Sequence, residues 1–182
     1  LTFLISFLKM FSQNYFPIGN WRDHLPYSQF KELAKIDNKL FAASPYSLVE
    51  YNHLSNEITK YSTVNGLSET GISSIVANQS QKTLVIAYES SNIDLLKDDQ
   101  IINISAILRS NITGDKSIYE MVCHDRYVYV CTGFGIVVID LNKIEVKDTY
   151  IIGLNNSQLK VKDINITNDS IFALTDLGIK AA

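Results

Sequence analysis

Residues 118–143, IYEMVCHDRYVYVCTGFGIVVIDLNK, read as three short strands joined by tight turns. IYEMVC runs into a turn at Asp125-Arg126, YVYVCT follows, and a Gly133-Phe134-Gly135 turn leads into IVVIDL. Aromatic and β-branched residues fill the runs, and turn formers separate them. The runs are apolar at nearly every position instead of alternating. A sheet with one wet face alternates apolar with polar, so continuous apolar runs predict small sheets covered on both faces.

The same pattern recurs. KLFAAS at Lys39–Ser44, TLVIAY at Thr83–Tyr88, YVYVCT at Tyr127–Thr132 and SIFALT at Ser170–Thr175 begin 44, 44 and 43 residues apart. LAKID, SIVAN, EMVCH and DINIT precede these segments; SLVEYN, NIDLLK, GIVVIDL and LGIKAA follow them. The turn into the third strand repeats as SPYS at Ser44, TGFG at Thr132 and TDLG at Thr175. A period of roughly 40–50 residues belongs to β-propellers and is longer than leucine-rich or ankyrin periods. The sequence therefore predicts an all-β chain, a β-propeller fragment of about four blades built from four-stranded antiparallel sheets. The expected blades are 30–62, 72–105, 118–152 and 160–182, the last incomplete and continuing beyond the fragment. At that period a seven-bladed ring needs roughly 300 residues, so about half is expected here.

Composition agrees: 46% hydrophobic, 10% aromatic and 19% charged residues, with 8 Gly and 3 Pro. A net charge of −3 leaves no electrostatic footprint for nucleic acid. No apolar run reaches the roughly 18–20 residues of a spanning helix. LTFLISFL at the N-terminus suits the apolar core of a signal peptide, so 1–13 are expected to be a signal-peptide remnant, the alternative being a first buried strand. Residues 14–29 are the expected ring-closing N-terminal strand, with Trp21 as its packing anchor and Arg22, Asp23 and His24 as strand-end and turn residues.

Cys123 and Cys131 are not expected to pair. With a two-residue loop at Asp125-Arg126, His124 faces Tyr127 and Cys123 faces Val128, and Cys131 then points to the other side of the sheet. Both read as small core residues. Tyr127 and Tyr129 alternate with valines and are expected to line one face against a neighbouring blade.

A search for chemistry yields little. His24, His53 and His124 form no close metal pair, and no Cys-x-x-Cys, calcium loop or G-x-S-x-G elbow occurs. Gly133-Phe134-Gly135 joins two strands and is a hairpin turn. Gly114-Asp115-Lys116-Ser117 lacks the Gly-Lys pair and the following helix of a phosphate loop. No catalytic residue, metal or cofactor is expected. The connection at 106–117, AILRSNITGDKS, is longer than the others and is expected to lack structure of its own; Arg109, Asp115 and Lys116 on it are weak candidates for partner or ligand contact, against the plainer reading of a solvated loop.

Residues 65–88, NGLSETGISSIVANQSQKTLVIAY, resemble the two-component-regulator propeller repeat, with Gly66-Leu67-Ser68 as its start and Leu84 to Tyr88 departing from the usual Trp-Gly-Thr form. Residues 131–140 lie closer to that repeat's ending. IGNWRDHLPY, VNGLSETGIS, NIDLL, INIS, TGDKSI and GFGIVVIDL together resemble the N-terminal propeller of PorZ-type proteins of type IX secretion. The resemblance covers nearly all of the chain after residue 17. It implies an exported, non-enzymatic scaffold at the periplasm or cell surface, acting in an attachment complex. The implied partners are a sortase-like protein and outer-membrane barrel proteins, with anionic lipopolysaccharide as a surface ligand. The family offers no catalytic motif to transfer. Two other classes stay open: an oligosaccharide-sensing propeller of a hybrid two-component regulator, and a propeller lyase or lactonase. The first calls for a membrane helix and kinase downstream. The second calls for His or acidic residues on the inner strands, where only Glu120 and Asp163 occur singly.

Overall fold

A computed structural model describes residue 27 and residues 29–167 and 170–181. The expected signal-peptide remnant at 1–13 lies outside the described residues, as does the expected ring-closing strand at 14–29, with Trp21, Arg22, Asp23 and His24, apart from residues 27 and 29. Among the described residues fifteen strands form four antiparallel sheets in strict sequence order. The first sheet holds β1 (Glu32–Ile36), β2 (Lys39–Ser44), β3 (Ser47–Asn52) and β4 (Glu57–Tyr61). The second holds β5 (Ile72–Asn78), β6 (Thr83–Tyr88), β7 (Ile93–Lys97) and β8 (Gln100–Ile104). The third holds β9 (Ile118–His124), β10 (Tyr127–Thr132), β11 (Gly135–Asp140) and β12 (Glu145–Tyr150). The fourth has three described strands, β13 (Val161–Ile166), β14 (Ile171–Thr175) and β15 (Gly178–Ala181). The segments aligned in the sequence are thus β2, β6, β10 and β14, the second strand of each sheet. Among the described residues no helix is long and apolar enough to cross a membrane.

Successive sheets meet most closely through their first strands, β1 on β5, β5 on β9 and β9 on β13. Sheets that converge on first strands and splay outward are the blades of a propeller. Polar staples fix the inner hairpins to one another. Gln79 binds the Lys35 carbonyl of the sheet before it, while Asn78 Nδ2 and Ser80 Oγ donate to the Asp125 carbonyl of the sheet after it, at 2.8 and 2.7 Å.

Period-two alternation explains the apolar runs. From β6, Leu84, Ile86 and Tyr88 pack against Phe41, Ala43 and Leu48 of the first sheet. Val85 and Ala87 point the other way, onto Met121, Val128 and Val130 of the third. All six residues of β6 and all six of β11 are buried. The third sheet repeats the arrangement, with Val128 and Val130 toward the second sheet and Cys131 and Ile136 toward Val161, Ile164 and Ala173 of the fourth.

The hairpin at Asp125-Arg126 has the expected register, His124 opposite Tyr127 and Cys123 opposite Val128. Asp125 supplies the positive φ that the tight turn needs. Cys123 packs toward the second sheet and Cys131 toward the fourth, both as free thiols. Two expectations need correcting. Tyr129 packs in the core between the third and fourth sheets, but Tyr127 lies at the rim between Arg126 and Lys147, whose charged groups stand 4.9 and 4.2 Å from its ring centre. The connection 106–117 has structure of its own, a helical turn α1 (Ala106–Arg109).

Candidate functional site

One end of the sheets gathers the connections between them, at 62–71, 105–117 and 151–160, with the turn between the second and third strand of each sheet. A hydroxyl organises three of those turns. Ser44 Oγ accepts from Ser47 N at 3.1 Å, Thr132 Oγ1 donates to the Gly135 carbonyl at 2.8 Å and Thr175 Oγ1 to the Gly178 carbonyl at 2.6 Å. These are the local Ser/Thr side-chain bonds that make tight turns. Gly135 follows with φ 150, and an added Cβ would collide with the Tyr150 carbonyl of the neighbouring strand.

The second sheet has Tyr88 at this position and a different device. The Tyr88 hydroxyl donates to Asp94 at 2.6 Å. Asp94 is fully buried and also accepts from Ser68 N (2.8 Å), Ser68 Oγ (2.7 Å) and Asn103 Nδ2 (2.9 Å). A buried carboxylate is tolerated only when its lone pairs are filled, and four donors fill them here. Burial, then the hydrogen bond to Asp94, holds the Tyr88 phenol above its ordinary range. Glu69 ties the same connection down through Asn92 Nδ2 at 2.9 Å. The Gly66-Leu67-Ser68 start is therefore a latch closing onto its own sheet.

The sequence candidates lie on the next connection. Arg109 is the last residue of α1, and its amide donates to the Ser105 carbonyl at 2.9 Å. Lys116 donates to the carbonyls of Leu108 (3.1 Å) and Ser110 (2.7 Å), closing the carbonyl end of that turn. Asp115 accepts from Ser117 N at 2.9 Å and from the Tyr119 hydroxyl, and these bonds hold its carboxyl below the usual carboxylate range. Asp115 and Lys116 are neighbours, but each polar end is engaged within the loop. Ile107 and Ile112 join the core around Phe134, so the connection roofs the turn of the third sheet. Lys160, from the following connection, stands 3.9 Å over the Tyr119 ring.

Among the described residues, clefts open between neighbouring sheets, and no motif in the sequence marks them. Between the third and fourth sheets a cavity of about 610 Å³ is lined by Tyr129, Ile136, Tyr150, Ile166, Ile171 and Lys180 among others. Between the first and second, a cavity of about 290 Å³ is rimmed by charge. Lys39 bridges Glu50 (2.9 Å) and Asp99 (2.7 Å), and Lys82 pairs with Asp37 at 2.7 Å. The apolar cleft suits an aromatic or aliphatic group; in the charged one the lining lysines are paired with lining carboxylates. Among the described residues no three His, Cys, Asp or Glu side chains are grouped to hold a metal ion. His53 lies in a turn, and His124 is the last residue of β9.

Comparison with known proteins follows the same lines. The family model of the N-terminal β-propeller domain of PorZ, from the type IX secretion system, matches residues 40–182. No curated protein matches the sequence. A solved structure of PorZ, described as an essential bacterial surface component of that system in Porphyromonas gingivalis, is 25% identical with a TM-score of 0.75, over 85% of this chain and 20% of that one. The extracellular domain of a hybrid two-component system from B. thetaiotaomicron is 14% identical with a TM-score of 0.65, over 84% of this chain and 20% of that one. AztD from Citrobacter koseri is 14% identical with a TM-score of 0.62, over 82% and 41%. The last two share the fold alone. This chain spans about one fifth of the length of the PorZ structure.

Proposed function

The chain belongs to the family of PorZ N-terminal β-propeller domains of the type IX secretion system, and from that premise we propose that it is a non-enzymatic binding module of a cell-surface attachment complex. The observation that carries this reading is the family match over residues 40–182. Among the described residues every buried side-chain nitrogen and oxygen has a hydrogen-bond partner, and the buried carboxylates Glu50, Asp94 and Asp140 serve as structural acceptors.

In this reading the module is exported, works at the periplasm or outer surface, and contacts proteins of the attachment machinery, a sortase-like protein and outer-membrane barrels, with anionic lipopolysaccharide as a further ligand. The connection bearing Arg109, Asp115 and Lys116 is the proposed contact region. The module is one arc of a ring. Leu33 and Ile58 of the first sheet and Phe172, Leu174 and Ile179 of the fourth present apolar faces to solvent, and further sheets would cover them.

The test is genetic. Deleting the gene in its own organism should abolish surface attachment of secreted cargo, and restoring it should recover attachment; cargo still attached without the gene contradicts the proposal. An oligosaccharide sensor is the rival outcome, identified by a spanning helix and kinase downstream.

A further inference from the structure

The connection between the first and second sheets contains the chain's single Asn-Gly pair, Asn65-Gly66. This dipeptide has intrinsic chemistry. The amide nitrogen after an asparagine can attack the side-chain carboxamide, and a glycine there offers no side chain to hinder it. Asn65 and Gly66 are both exposed, so water and base have access. What opposes the reaction is geometry. Asn65 Oδ1 accepts from Ser62 N at 2.5 Å and from Ser62 Oγ at 2.9 Å, and Nδ2 donates to the Lys60 carbonyl at 2.5 Å. Three bonds to a buried serine and a strand end fix the carboxamide plane. The main chain is fixed as well, since Asn65 N and Leu67 N both donate to the Ser62 carbonyl, at 3.1 and 3.0 Å.

We propose that Asn65 is a latent deamidation site, held closed by the fold and released when this connection opens. On release, a bond forms between Gly66 N and Asn65 Cγ, the Cγ–Nδ2 bond breaks, and ammonia leaves as the amide proton is lost. One water then opens the succinimide at either carbonyl, giving aspartate or isoaspartate; nothing is oxidised or reduced. Neither product fits the original seat. A carboxylate cannot donate to the Lys60 carbonyl, and isoaspartate inserts an extra methylene into the main chain. Gly66 sits where a Cβ would come within 2.9 Å of the Ile101 side chain, and Ser68, two residues on, is seated on Asp94. The conversion therefore unseats the latch and leaves a covalent record of its opening.

The experiment incubates the full chain at mildly alkaline pH, folded and in urea, and follows the peptide bearing Asn65 by mass spectrometry and isoaspartyl methyltransferase labelling. The folded chain should convert at least about tenfold more slowly than the unfolded one, because reaction proceeds only through local opening. Ser62→Ala, which removes one of the three bonds, should speed conversion in the folded chain and leave the unfolded rate unchanged. Equal rates folded and unfolded, no conversion even in urea, or a folded Ser62→Ala rate equal to the parent's would each overturn the proposal. The folded-against-urea comparison needs no variant and decides even where Ser62→Ala folds poorly.

Discussion

The second and fourth sheets are written in nearly the same alphabet and live in different surroundings. β6, TLVIAY, is buried at all six positions, three side chains against the first sheet and two against the third. β14, IFALT, is as apolar, yet only Ala173 and Thr175 are buried, while Phe172 and Leu174 face solvent. On β15 Ile179 is 71% exposed. Two-faced burial is thus encoded in the fourth sheet even where one face has no neighbour among the described residues. The same holds for the outward face of the first sheet, where Leu33 is 67% exposed. An apolar run reports the surroundings for which a blade is suited.

Substitutions sharpen this contrast. The largest loss is expected from Asp94→Ala, which strands the donors of Ser68, Tyr88 and Asn103 inside the second sheet, at about 4 kcal/mol; urea unfolding measures it. Ile86→Ala, in the same sheet, should cost about 3 kcal/mol through the cavity it leaves. Leu174→Ala, the same kind of truncation on the open face of the fourth sheet, should stay within about 0.5 kcal/mol. Equal losses for Ile86→Ala and Leu174→Ala would erase the distinction between the sheets. In a longer chain carrying further sheets, the Leu174→Ala loss should rise toward that of Ile86→Ala.

A smaller effect separates the loops. The carboxyl of Asp115 is held below its ordinary range by donors from Tyr119 and Ser117. A depressed folded-state value stabilises above the unfolded carboxylate range and is lost as pH falls through the folded value. Acidification below about pH 4 should therefore loosen the 106–117 connection, by no more than about 0.5 kcal/mol given its exposure. Local hydrogen exchange across 106–117 against pH checks it, and Asp115→Asn should abolish the dependence.

Much of the fold was legible because the signal is local and repeated. The strands β2, β6, β10 and β14 begin within a residue of the aligned segments, and the opposed directions of Cys123 and Cys131 follow from a two-residue turn and period-two alternation. Long-range polar contacts were not legible. Ser68 and Asp94 lie 26 residues apart, and only the tyrosine standing where other sheets have Ser or Thr marks the place. The turn α1 was hidden in a stretch read as irregular, although Ala106, Leu108 and Arg109 are good helix formers. The apolar cleft between the third and fourth sheets has no signature at all, because its lining comes from strands that look like core. Tyr127 shows the limit of alternation, which gives the face of a residue but not its distance from the rim.

Thiol accessibility tests the account most directly, because the two cysteines report on opposite faces of the third sheet. Burial pushes the Cys131 thiol up to about 12 and the Cys123 thiol up to about 11. With the native protein at neutral pH, a small thiol reagent should leave Cys131 unlabelled and react only slowly with Cys123, both becoming reactive together on unfolding. Rapid native labelling of Cys131, or a disulfide between the two residues, would contradict a third sheet packed between neighbours on both sides.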